Sequence, residues 1–552
     1  MKSPCLALFA VIALPAFALA SEVPSLLPAR VEHAIHERIA DGEYPAMVVA
    51  VVDGDRSHVY AFGKLDDGKT PGADTLFQIG SITKTFTATL LAEAVENGKL
   101  KLDTPVAELL PDFTIPSRGG KPITLAELAM QVSGLPRLPA NMRPPNPRDP
   151  YAHYDAAKLK DFLAAYKLPR DPGASYEYSN LGVGLLGYAL AQHAGTSYAA
   201  LLQTRIFKPL HMASSSATLS EPLGAQWAMG HGMDGQPAAP WHLGVLGGAG
   251  AINSTGADML RYLQANMGHG DGALQAAIRF AHRPRREIGP NERIGLAWMT
   301  RHDKDGNVLW HNGMTGGYAS FLGFTADGQR GVVILTNVQQ SVDDLGFATL
   351  LADVALAPAE KQITLTPQQL DAYVGEYRLG PKIILRVFRK EDQLLAQATG
   401  QGPFPIYPSG RNTFFAKLTE IRIDFKRGDS GKVASLVLHQ NGHDIPAPRL
   451  GAEAIEQSSG HKVVHLGVAE LRQYVGKYKL GPDTIFDITL RNGQLFAQLS
   501  GQPAFPIYPS AKDEFYYTIV DAQLSFKRDD QGKVDALVLH QNGADQRAPR
   551  LP

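Results

Sequence analysis

The feature that most constrains this chain is that it contains the same stretch twice. Residues 370–450 laid on 471–551, a shift of 101 places, match at 41 of 81 positions with no gap. Phe404–Ser409 (FPIYPS) returns as Phe505–Ser510, and Leu436–Gly442 (LVLHQNG) as Leu537–Gly543. Self-similarity at one fixed offset marks two copies of one folding unit. Within each copy, short alternating runs such as Ile384–Phe388, Leu394–Ala398 and Ile421–Phe425 are separated by Gly, Asn, Asp and Pro, the pattern of an antiparallel meander or small barrel. The repeat therefore predicts two all-β, barrel-like domains, at 366–450 and 466–552. Ala357–Lys361 and the Glu-, Gln- and Ser-containing stretch Gly451–Gly460 read as the linkers before them.

What precedes, residues 21–356, needs a core of its own, because single cores stop growing beyond roughly 250–300 residues and this chain has 552. Its pattern is mixed. A helical stretch follows Pro28, and the apolar run Ala46–Val52 leads through Asp53-Gly54-Asp55 into a second strand-like run, predicting a hairpin. Ser81–Asn97 reads as the strongest helix, with Phe86, Leu90, Leu91, Ala94 and Val95 on one side and Gly98 as its stop. Val308–His311, Ala319–Thr325 and Val332–Asn337 read as successive antiparallel strands. The expected class is α+β, helices layered on an antiparallel sheet.

Lys2 followed by the apolar run Leu6–Leu19 and the small-residue pattern Ala18-Leu19-Ala20 reads as a secretory signal over residues 1–20, so a periplasmic or secreted protein is expected. Cys5, the only cysteine, lies inside it, which excludes a disulfide framework, a thiolate zinc site and an iron–sulfur cluster from the mature chain. No other run approaches the roughly 20 apolar residues of a membrane span. Lys plus Arg number 53 against 54 Asp plus Glu, so there is no basic field to attract nucleic acid.

Three short elements carry chemistry. Ser81-Ile82-Thr83-Lys84 opens the strong helix, and residues three apart share a helical face, so the Lys84 amine can reach the Ser81 hydroxyl. The positive end of the helix lowers the amine's pKa and favours a developing oxyanion. The same spacing in Ser459-Gly460-His461-Lys462 has no helix behind it. Tyr178-Ser179-Asn180 follows a turn and precedes a glycine-rich apolar helix: Tyr178 can exchange a proton with Ser81 if Lys84 keeps it partly ionised, and Asn180 can bind a substrate carbonyl. His311-Asn312-Gly313-Met314 ends a strand, with glycines that let a substrate backbone approach. His242-Leu243-Gly244 repeats that triplet in a glycine-rich loop.

In this order the three elements, with Ser254-Thr255 after a Gly-rich stretch, resemble the serine hydrolases related to penicillin-binding proteins and class C β-lactamases, the peptidase S12 group, over residues 30–345. The resemblance implies a β-lactamase/DD-peptidase-like catalytic domain, here over 21–356, and no cofactor. It also implies a nucleophilic Ser81, a base shared between Lys84 and Tyr178, and an oxyanion hole from the N–H groups of Ser81 and Met314. Asn180, His311, Gly313 and Met314 would face substrate, a small peptide, ester or β-lactam-like molecule. The lactamases of this group usually carry Lys where this chain has His311. An ordinary imidazole is mostly neutral at pH 7, so anion recognition is expected to be weaker and pH dependent. His311 and the two trailing barrels look like the D-aminopeptidases and esterases of the group. A β-lactamase, a penicillin-binding sensor and a non-catalytic wall-binding protein are the alternatives.

Other patterns point elsewhere. His33, His36 and Glu37 lie on an amphipathic helix without a further metal ligand. Gly247-Gly248-Ala249-Gly250 lacks a preceding strand for a phosphate cradle and reads as a flexible loop. Six prolines in Pro136–Pro150 predict a stiff extended loop at the cleft. His439 and His540, at equivalent strand ends, suit structural hydrogen bonds.

Overall fold

The computed structural model describes residues 25–551 except 220–222, 225, 234, 271, 305, 357–361, 381–382, 400–402, 417–420, 441–442, 452–463, 465, 482–483, 492, 501–503, 518–521 and 542–543. The signal segment, the first linker and Ser459–Lys462 lie outside the described residues, as does all of the second linker but Gly451.

The catalytic region opens with α1 (Ala29–Ala40) and the hairpin β1 (Ala46–Asp53) and β2 (Arg56–Gly63). α2 (Thr83–Glu96), α3 (Asn180–His193) and α4 (Gly256–Asn266) follow. Next come β3 (Arg286–Gly289), β4 (Glu292–Ile294), β5 (Met299–Asp303), β6 (Gly306–Met314), β7 (Ala319–Thr325) and β8 (Arg330–Thr336), then α5 (Asp343–Leu350). The strands form one antiparallel sheet in the order β2-β1-β8-β7-β6-β5-β4-β3. Its centre therefore joins the first hairpin to the last strand, with Val49 opposite Ile334.

β1 is apolar without alternation because both faces of the sheet are covered. Met47, Val49 and Val51 pack with Val31 and Ile35 of α1 and Leu345 of α5. Val48, Ala50 and Val52 pack with Phe86 of α2 and Tyr262 of α4. α2 departs from the one-sided helix expected at 81–97. It is buried all round from Thr83 to Ala92, and its threonines tolerate this because their hydroxyls donate to carbonyls one turn back, Thr85 to Ile82 at 2.8 Å and Thr89 to Thr85 at 2.9 Å. The helix also begins later than expected. Gly80–Ile82 is a separate 3-10 turn, reached through Gly80 at φ +51.

Each repeat is an eight-stranded antiparallel meander whose ends meet, so the repeats are barrel-like as the alternation suggested. In the first copy Leu450 N–H donates to Glu376 O at 2.7 Å, and in the second Leu551 N–H donates to Lys477 O at 2.7 Å. Residues retained in both copies hold this closure: Arg449 donates to the Val374 carbonyl and Arg550 to the Val475 carbonyl, each joining the last strand to the first. The two barrels touch through Phe388 and Phe505, ring centres 5.3 Å apart. Tyr407 of the first barrel reaches Met233 of the catalytic region at 3.9 Å.

Below the sheet Arg38 of α1 forms a two-pronged ion pair with Asp344 of α5, both nearly closed to water. Asp344→Ala would leave that buried guanidinium with Glu43, 4.0 Å away, in place of its two-pronged partner, so this region should lose about 3 kcal/mol, read as a lower thermal midpoint by circular dichroism.

Candidate active site

Ser81 sits on the 3-10 turn and Lys84 is the second residue of α2, which puts Nζ 2.8 Å from Ser81 Oγ. Ser179 caps α3, its Oγ accepting from Gly182 N–H at 2.8 Å, and this cap aims its neighbours inward. Tyr178 OH donates to Ser81 Oγ at 2.7 Å. Asn180 Oδ1 accepts from Lys84 Nζ at 2.8 Å, and Asn180 Nδ2 donates to Tyr151 OH at 3.1 Å. The Ala249 carbonyl also accepts from Nζ, at 2.7 Å. Two stretches far apart in the chain thus meet at one hydroxyl, and a third, at Ala249, meets the amine beside it.

Lys84 is fully buried, and among the described residues no carboxylate lies beside it, a costly setting for an ammonium. Burial, and then the Arg137 guanidinium, hold its amine well below the usual 10.5. A neutral amine has two N–H groups and one lone pair. The carbonyl oxygens of Asn180 and Ala249 can only accept, so they take the two hydrogens and leave the lone pair to the Ser81 O–H. The phenol of Tyr178 differs from the partly ionised group expected. Burial pushes it up to about 12, against the Ser81 hydrogen bond and Arg137, so at neutral pH it keeps its proton and donates it.

β6 lies hard against the turn that carries Ser81. A Cβ on Gly80 would stand 2.6 Å from Met314 N, and one on Gly313 would stand 2.0 Å from Ile79 O. Ser320 Oγ donates to the same Ile79 carbonyl at 2.9 Å. The space left by the missing side chain of Gly313, expected to admit a substrate backbone, is filled by the protein's own. It brings the Met314 amide against the turn that carries Ser81.

His311 is 1% exposed and its Nδ1–H donates to the Asn312 carbonyl at 2.6 Å. Burial first, then Lys84, push the imidazole down to about 3. The expected pH dependence near its ordinary pKa therefore does not hold: this side chain is neutral across the working range. On the next position Asn312 Nδ2 donates to Asp343 at 2.6 Å, and burial pushes that carboxyl up to about 7.

Sequence reasoning passed over Tyr151, Arg137 and Ala249. Tyr151 follows the proline-rich stretch directly, and Arg137 lies in it. That stretch does border the site: Ser179 Oγ donates to Pro136 O at 2.6 Å, and Trp241 Nε1 to Arg148 O at 3.1 Å. Beyond Gly316 a depression with about 610 Å³ of space is lined by Arg148, Gln236, Trp241 and Gln339. Gly247–Gly250, expected to be flexible, is instead buried against α3, where a Cβ on Gly248 would stand 2.7 Å from Val183 O. His242 pairs with Asp149 at 2.7 Å. His33 pairs with Glu37 at 3.2 Å on an exposed face, and no group of three or more metal-ligating side chains occurs among the described residues. His439 bridges Asp444 and Asp424 at 2.6 and 3.2 Å. His540 bridges Asp545 and Ser525, each at 2.7 Å, with Ser525 only 3% exposed. These are structural hydrogen bonds on the barrels.

Fold and cluster together define a class, the active-serine hydrolases built on the β-lactamase and DD-peptidase fold. The chain belongs to the beta-lactamase family, whose model matches residues 31–357. A domain of unknown function, DUF3471, matches 359–450 and 461–549. The chain is similar to penicillin-binding protein 4* of Bacillus subtilis (strain 168), 24% identical over 445 residues, 74% of this chain and 95% of that one. It is also similar to D-alanyl-D-alanine-carboxypeptidase/endopeptidase AmpH of Escherichia coli (strain K12), 25% identical over 336 residues, 54% of this chain and 83% of that one. A solved class C beta-lactamase shares the fold, with a TM-score of 0.52 and 24% identity over 59% of this chain and 96% of its own.

Two outcomes follow from this geometry. Gly313→Ala should displace β6 from the turn, costing about 1–3 kcal/mol of stability and roughly 100-fold in the rate of Ser81 acylation, measured by burst kinetics. The His311 ring protons should show no titration between about pH 5 and 8 by NMR.

Proposed function

We propose that the protein is an exported serine acyl-hydrolase that forms an acyl-enzyme on Ser81 and cleaves an amide or ester bond, of D-aminopeptidase, DD-peptidase or esterase type. Residues 1–20 would be its leader, 21–356 its catalytic domain, and 366–450 and 466–552 its two accessory barrels. The observation that carries this reading is a lysine with no exposed surface whose Nζ lies 2.8 Å from a serine hydroxyl.

In this reading Lys84 takes the Ser81 proton as Oγ attacks the acyl carbon. The oxyanion is met by the amides of Ser81 and Met314. Tyr178, already donating to Oγ, hands its proton to the leaving group and recovers one from Lys84. Asn180 and the strand His311–Met314 hold the substrate on either side, and water releases the acyl group. The relative named as a D-alanyl-D-alanine-carboxypeptidase/endopeptidase supports an amide substrate, and the family supports hydrolysis.

Ser81→Ala should abolish hydrolysis and covalent labelling while leaving the circular dichroism spectrum unchanged; a fully active variant refutes the assignment. Lys84→Ala should slow acylation about 10²–10⁴-fold. With native enzyme kcat/KM should fall as pH drops through the depressed Lys84 pKa and fall again as Tyr178 ionises near 12, with full activity between. Labelled penicillin distinguishes the variants of this chemistry: turnover makes the enzyme a β-lactamase, and stoichiometric trapping makes it a penicillin-binding receptor.

A further inference from the structure

Around Ser81 burial disfavours charge: it holds the Lys84 amine well below its usual pKa, leaves Tyr178 with its proton and leaves His311 neutral. Arg137 is different. Its guanidinium lies over the Tyr178 ring, 5.0 Å from the centre, while Lys84 Nζ lies 4.9 Å from the same centre. Tyr178 in turn touches the nucleophile. Arg137 is exposed, and among the described residues no carboxylate lies within ion-pair distance of it. Lys84, Tyr151, Tyr176 and Tyr178 all feel its field.

The backbone that carries the cation is also fixed in place. The Leu181 N–H donates to the Arg137 carbonyl at 3.2 Å, and Ser179 Oγ donates to the neighbouring Pro136 carbonyl at 2.6 Å. Both donors belong to the segment that delivers Tyr178, so Arg137 moves with the catalytic phenol. Stacking on the ring steers the guanidinium, and the residue remains exposed. A planar fork of donors, permanently charged and without a counter-ion, matches a carboxylate.

We infer that Arg137 is the specificity-determining residue of this site, selecting acyl substrates that carry a carboxylate close to the scissile bond. This rests on the acyl-enzyme reading and adds the charge class of the substrate. With His311 buried and neutral, the charge that reads an anion comes from the proline-rich loop rather than from β6.

The test uses the full chain, an acylglycyl thioglycolate ending in a free carboxylate, and the methyl ester of the same compound. Affinity is read as protection of Ser81 from an uncharged fluorophosphonate label, so the comparison does not depend on turnover. The acid should protect at lower concentration than the ester, and high salt should erode the difference. Arg137→Gln should weaken protection by the acid about 10- to 100-fold, leave the ester within about threefold, and be partly rescued by Arg137→Lys. Equal protection by acid and ester in the native enzyme, or equal losses on both in the variant, overturns the inference; equal losses place Arg137 in the control of Lys84 instead. Absence of labelling in the native enzyme refutes the acyl-enzyme reading itself, whereas normal labelling with charge-blind protection refutes only the role of Arg137.

Discussion

The removal of one amine from water organises the catalytic region. Lys84 has no exposed surface and among the described residues no carboxylate pairs with it, so burial disfavours its charged form. Two of its hydrogens go to carbonyl oxygens on separate elements, Asn180 at the start of α3 and Ala249 in the buried glycine-rich turn. Each contact is a constraint on fold as well as chemistry, since the amine can meet both only if α3 and that turn pack against α2. The tightness of that packing is visible where Gly248 meets Val183 with no room for a side chain.

The second constraint is the contact between β6 and the nucleophile's turn. β6 is anchored in the middle of an eight-stranded sheet, so its position is set by packing on both sides of the sheet rather than by the site. Gly80 and Gly313 remove the two Cβ atoms that would hold strand and turn apart. A rigid sheet therefore sets the separation between the serine and the Met314 amide. The barrels stand outside this machinery. They close on themselves, pack on each other through Phe388 and Phe505, and meet the catalytic region at Tyr407 and Met233.

Much of this was legible in the sequence, for identifiable reasons. The duplicated stretch and its alternating runs gave both barrels, and the spacing of Ser81 and Lys84 put them on one face. Tyr178 could be placed because a capped helix start follows it. What stayed hidden were consequences of three-dimensional burial. The nearby Lys84 suggested a partly ionised Tyr178, and an ordinary pKa suggested a pH response for His311, because no local pattern reveals how far the fold desolvates the two side chains. α2 read as one-sided because its threonines look polar, although back-bonding lets them sit inside. Arg137 lay in, and Tyr151 just after, a stretch whose prolines predicted stiffness and said nothing of which side chains would gather near the serine.

The protonation state of Lys84 decides the matter most directly. Lysine labelled with carbon-13 at Cε, assigned by comparison with Lys84→Ala, reports ionisation through its chemical shift as pH is varied. A neutral shift for Lys84 at pH values where the other lysines are charged is the predicted result. Titration of Lys84 near the ordinary lysine value of about 10.4 would show a charged amine at neutral pH, and the lone pair assigned to the Ser81 proton would not exist.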